Sequence, residues 1–121
     1  MAAVLKIDIR RRLVYSSFYG KVTGEELLAH RQRILAEPFF NPAFDEIVDF
    51  SDVSQTLINE QALASLASEK SIYGPNSRHV VVAPSDMPYE IGLRYQQLAQ
   101  QSRPNLHVVR SLSEAYQLLA R

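Results

Sequence analysis

Apolar and polar residues alternate in two stretches near the start of the chain, Val4 to Ile9 and Leu13 to Tyr19. Leu5, Ile7 and Ile9 fall on one side of an extended chain, with Lys6 and Asp8 on the other. A period of two predicts a half-buried strand from Val4 to Ile9. Leu13 to Tyr19 alternates again, with Tyr15, Ser17 and Tyr19 opposite Val14, Ser16 and Phe18. Arg10-Arg11-Arg12 joins the two runs, so together they read as a hairpin with a solvated basic turn. Gly20 is expected to break the second strand.

The spacing then lengthens. Thr23-Gly-Glu-Glu26 has the form of a capping box, in which a threonine hydroxyl accepts an early helix N–H. It predicts a helix to about Glu37, stopped by Pro38. In the loop "PFFNPAF", Phe39, Phe40 and Phe44 either tuck beneath the sheet edge or line a ligand site. Glu46 to Phe50 reads as a strand. Ile58, Ala62 and Leu66 give helical spacing from about Leu57 to Ser71, and "YGPNS" marks a turn. His79 to Ala83 is apolar almost throughout, as in a strand covered on both faces. Ser85 suits a helix N-cap, followed by a stripe of Met87, Ile91, Tyr95 and Leu98. Gly92 beside that stripe predicts close approach to a neighbour. Leu106 to Arg110 is a short strand, and Ser111-Leu-Ser-Glu114 is a second capping box, opening a last helix with Leu112, Ala115, Tyr116 and Leu119.

The order is ββαβαβαβα. Strands alternating with helices predict a single α/β domain over 1–121, with a mixed, mostly parallel five-stranded sheet, an antiparallel N-terminal hairpin and about four helices.

"VTGEELLAHRQRIL", "EIVDFSDVS" and "SLSEAYQLL", in that element order, resemble the STAS-like group, small bacterial proteins similar to anti-sigma factor antagonists. The resemblance implies a regulatory, protein-interaction role. In the antagonists, a serine at a strand-to-helix turn is phosphorylated by a partner kinase. Setting Val48-Asp49-Phe50-Ser51 on the corresponding strand puts Leu57-Ile58-Asn59-Glu60 at that turn, which carries no hydroxyl. A phosphate switch would therefore have to use Ser54 or Thr56; otherwise these two residues are helix caps.

Composition narrows the field. The chain has 121 residues with 13 basic and 13 acidic side chains, so its formal charge is zero. Nucleic-acid binders normally carry a basic excess, so that class is disfavoured. Zero net charge also favours self-association, and a homodimer is expected. With no cysteine, disulfides, thiolate metal sites and cysteine nucleophiles are excluded. No apolar run is long enough to span a membrane and no signal segment is evident, so a cytoplasmic protein is expected.

The expected site lies at the carboxyl ends of the strands, where open parallel sheets bind ligands. Those ends are Asp49 to Asp52, Pro84-Ser85-Asp86 and Arg110-Ser111. There is no Gly-x-Ser-x-Gly elbow, and His79 and His107 begin strands, at the far end from Ser51 and Ser85. His30 lies on a helix. Asp49, Asp52 and Asp86 are the one acidic convergence, and no metal or cofactor is expected. Arg31 falls inside the apolar stripe of the first helix, among Leu27, Leu28, Ile34 and Leu35. It either snorkels to water or pairs with Asp45, Asp49 or Asp52.

The leading expectation is a non-enzymatic interaction module that binds a protein partner through Ser51, Asp52, Ser54, Thr56 and Ile58. The alternative is a carrier or sensor of a small apolar ligand, held by Arg31, Phe39, Phe40, Phe44, Tyr89 and Tyr95. A small hydrolase is the third.

Overall fold

The computed structural model describes residues 3–120. In chain order they form β1 (Ala3–Asp8), β2 (Leu13–Thr23), α1 (Gly24–Leu35), β3 (Asp45–Leu57), α2 (Glu60–Ser68), β4 (His79–Val82), α3 (Asp86–Leu98), β5 (Leu106–Val109) and α4 (Leu112–Leu119). The five strands make one sheet in the order β1-β2-β3-β4-β5. β1 and β2 are antiparallel, and the remaining neighbours are parallel. The α/β architecture expected from the alternation is thus present, and Arg10, Arg11 and Arg12 are exposed at the hairpin turn.

The strand period distributes side chains between two faces. Leu13, Ile47, Val80, Val82 and Val109 point to one face and pack against Ala115, Leu112 and Leu119 of α4. Val14, Phe18, Val81 and Leu106 point to the other, under α1, α2 and α3. One face therefore carries three helices and the other carries one of eight residues.

Both helix N-caps form. The Thr23 hydroxyl accepts from the Glu26 N–H at 3.2 Å and that of Ser111 from the Glu114 N–H at 3.1 Å. Gly92 sits where α3 meets the sheet: a Cβ there would lie 3.0 Å from Val108 Cγ1, so the close approach is real.

Three local expectations are corrected. Gly20 does not end β2: at φ +69° it accompanies two register shifts against β3, and the strand continues to Thr23. That continuation gives β3 a partner beyond Phe50, so Ser51 to Leu57 extend as strand, with Val22 opposite Thr56 and Thr23 opposite Leu57. Ladder hydrogen bonds outweigh the local capping tendency of Ser54 and Thr56, and neither caps a helix. Asn59 does: its Oδ1 accepts from the Ala62 N–H at 2.8 Å, and α2 starts at Glu60. The turn thus falls at Leu57-Ile58-Asn59. Third, Met87 is 63% exposed; Pro88 and Gly92 are the buried residues of α3.

Candidate functional site

Leu27, His30, Arg31 and Ile34 recur at helical spacing on the inner face of α1. All four line a cavity of about 140 Å³ that lies under the helices and over the sheet. Phe18, Val48, Phe50 and Val81 also line it, with Leu63 and Leu66 of α2 and Ile91, Gly92 and Tyr95 of α3. Space of this size is uncommon in an interior packed at crystal density.

A polar group gathers at the amino ends of β3 and β4. Glu46 and His79 are register partners in the parallel ladder. The His79 Nδ1 lies 2.9 Å from Glu46 Oε1, and the Tyr73 hydroxyl donates to Glu46 Oε2 at 3.0 Å. Burial alone would push the Glu46 carboxyl up, but the His79 and Tyr73 contacts outweigh it and hold the group below its ordinary value. Burial, then the adjacent Glu46 charge, pushes the Tyr73 phenol up. Glu46 is thus ionised with both oxygens engaged, and Tyr73 keeps its proton. The trio orients groups: Glu46 is engaged by both neighbours, and the His79 ring is held through Nδ1.

Two neighbouring side chains each leave one polar atom without a partner. His30 is 4% exposed; its Nε2 lies 2.7 Å from the Ser16 hydroxyl, while Nδ1 is buried with no partner. Burial lowers its basicity, with Arg33 adding to the effect. The Arg31 Nη1 is likewise buried without an acceptor. Arg31 stands beside Tyr95, whose phenol burial pushes up. Arg103 completes the group. It is 8% exposed, donates to the Ser102 hydroxyl at 3.2 Å, and lies 5.9 Å from the Tyr95 ring centroid. A surface cleft formed by residues 70–79 and 102–105 shares Ser71, Tyr73, His79 and Arg103 with the cavity, so the two adjoin at these side chains.

The ligand set read from the sequence is therefore largely corrected. Arg31 and Tyr95 line the cavity, whereas Phe39, Phe40, Phe44 and Tyr89 do not. Phe39 is 64% exposed, Phe40 meets the Tyr73 ring edge-on, and Phe44 is buried against Val14 and Ile34. Tyr89 lies beneath the Arg110 guanidinium, 3.8 Å away. Arg31 pairs with none of the three expected aspartates: Asp45 is engaged by Arg78 at 2.7 Å, Asp49 accepts from Tyr15 and Ser51, and Asp52 is exposed.

The carboxyl ends of the strands do not converge on a site. The rule that puts ligands there depends on a reversal in strand order, where adjacent loops diverge, and this sheet runs through its strands without reversing. Asp86 is bound by Arg110 at 2.8 Å. Among the described residues no group of three or more histidines, aspartates or glutamates is placed to hold a metal ion, and no helix is long and apolar enough to cross a membrane.

Of the expected partner residues, Ser51, Asp52, Ser54 and Thr56 lie on the outer length of β3 and Ile58 follows it. Ser51, Asp52 and Ser54 are exposed, the Thr56 hydroxyl is buried without a partner, and Ile58 lines the cavity. Thr56 is half-buried, and its hydroxyl is turned away from the surface a kinase would meet.

Glu46, His79, Tyr73, His30 and Arg103 escaped the sequence reading. A signal existed for two of them: Glu46 shares strand parity with Val48 and Phe50, and His79 with Val81, so each interrupts an inward-facing row. No protein-family model matches the chain, and no curated protein matches it.

Proposed function

We propose that the chain is a cytoplasmic, non-enzymatic binding module that takes a small, largely apolar ligand between the sheet and helices α1, α2 and α3. The observation that carries this reading is the apolar cavity of about 140 Å³ with buried, unpartnered polar atoms on two of its lining residues, His30 and Arg31. Interiors normally fill such space and pair such atoms. A cavity of about 150 Å³ accommodates a benzene ring. The reading is tested by titrating isotope-labelled protein with benzene, or pressurising it with xenon. Val48, Leu63 and Ile91 methyl resonances are expected to shift while Val82 and Val109 stay in place. A uniform response, or none, sinks it.

A second reading, partner binding, is supported by the shape of β3. Its pairing with β4 ends at Asp49, and beyond that point it pairs with β2 alone among the described strands. An uncovered strand edge is a template for an added strand from a partner protein or a second copy. Ser54 falls at the shift between the Val53 and Gln55 pairings, so Ser54→Pro removes an edge donor at little cost to the β2 ladder. Light scattering is expected to show self-association that this substitution abolishes. A chain that stays monomeric at every concentration, and retains no partner from lysate, counts against it.

A further inference from the structure

The ligand's chemistry is written in the unbalanced charge of the cavity. Two guanidiniums, Arg31 and Arg103, line it against one carboxylate, Glu46. Glu46 is already engaged by His79 and Tyr73. Among the described residues no carboxylate forms an ion pair with Arg31 or Arg103. Arg103 has neutral oxygen partners, from Glu69 and Ser102. The Arg31 Nη1 has none.

Arg31 is half-buried and its side chain meets Tyr95, but the Nη1 nitrogen is shut from water without an acceptor, which costs part of the desolvation of a charged donor. An incoming oxyanion would relieve it. Counting the two arginines against Glu46, with the lining histidines neutral, the excess is one positive charge, which a monoanion neutralises and a phosphate dianion would overshoot beside Glu46. Arginine's fork also matches a carboxylate in two parallel N–H···O bonds. The rest of the lining is aliphatic and aromatic, with a volume near that which holds a single ring.

We infer that the cavity binds a monocarboxylic acid, its carboxylate on the Arg31 guanidinium beside the Tyr95 hydroxyl and an apolar body of about six carbons among Leu27, Val48 and Leu63. The inference rests on the ligand-binding reading above and specifies it. Hexanoate and benzoate are ligands of this class. Inorganic phosphate is not, and neither are hexanol and benzyl alcohol, which keep the body and lose the charge.

Calorimetric titration of the full chain at neutral pH separates the outcomes. Benzoate is expected to bind at least about tenfold more tightly than benzyl alcohol, the margin of a charge-assisted hydrogen bond over a neutral one. Inorganic phosphate is expected to produce no heat. Arg31→Met should erase the difference between acid and alcohol, with thermal denaturation confirming that the variant is folded. Arg31→Lys should keep part of it. If the variants do not fold, the wild-type comparison of acid with alcohol decides alone. Equal affinity for benzoate and benzyl alcohol overturns carboxylate recognition and leaves the cavity as an apolar site. Failure of both to bind, together with benzene, overturns the binding reading itself. Phosphate binding as tightly as benzoate overturns the choice of a monocarboxylate.

Discussion

The two faces of the sheet solve the same problem with opposite results. Under α4, Ile47, Val80 and Val82 are fully buried, and the Tyr15 hydroxyl reaches Asp49 at 2.7 Å. Under α1, α2 and α3 there is a cavity, with His30 Nδ1 and Arg31 Nη1 unpartnered on residues that line it. The single helix makes the tighter interface. Three helices bridging one sheet must also fit one another, and α1 and α2 already touch closely: a Cβ on Gly24 would lie 3.1 Å from Ala62 Cβ. Helix–helix contact of this kind holds the layer up and leaves space beneath it. One face is filled, and the other keeps open space.

Three measurements bear on that contrast. The largest effect is expected from Ile47→Ala on the filled face: about 3 kcal/mol lost in urea unfolding, because a fully buried side chain leaves a void that rigid strands cannot close. A loss under about 1 kcal/mol would show that this face is loosely packed too.

Enlargement separates the faces more sharply than truncation. Val82→Leu, where the residue has no exposure, is expected to cost about 1–3 kcal/mol through overpacking. Val48→Leu places the same added carbon in the cavity. It is expected to be neutral or to stabilise by up to about 1 kcal/mol, while weakening benzene uptake. Equal costs at the two sites would erase the distinction.

The smallest effect concerns pH. His30 and Glu46 both have folded-state values below their ordinary 6.5 and 4.5. The unfolded chain therefore binds more protons, and stability falls as pH falls. Stability is fully present above 6.5; the His30 contribution is lost first and the Glu46 contribution below 4.5. Melting temperature is expected to decline between about pH 7 and about pH 5, and His30→Gln should remove that upper step alone. A melting temperature constant over that interval would place the His30 ring in contact with water.

The sequence carries the architecture in its simplest periodicities. Alternation at Leu5, Ile7, Val14 and Phe18 marks the hairpin, and the capping boxes at Thr23 and Ser111 mark two helix starts. What depends on a partner strand is not legible: nothing local in Ser51 to Leu57 says that β2 continues past Gly20 to meet it. The site divides in the same way. Arg31 and Tyr95 stand out because helical spacing places each on an inward stripe. The loop aromatics mislead because their size signals burial without saying where. The Glu46–His79 pair exists only through the register of two parallel strands thirty-three residues apart, a separation no local window spans.

The monotonic strand order also bears on how the chain is assembled. Each new ribbon docks beside the one made just before it, so β1 keeps one edge of the growing sheet and the newest strand is always the other, the open flank awaiting the next segment. Until β5 and α4 arrive, β4 remains that open flank and Ile47, Val80 and Val82 stay wetted. Chains halted before Leu106 are expected to clump more readily than the complete chain, and the short terminal helix is the cover that takes Ile47, Val80 and Val82 out of water.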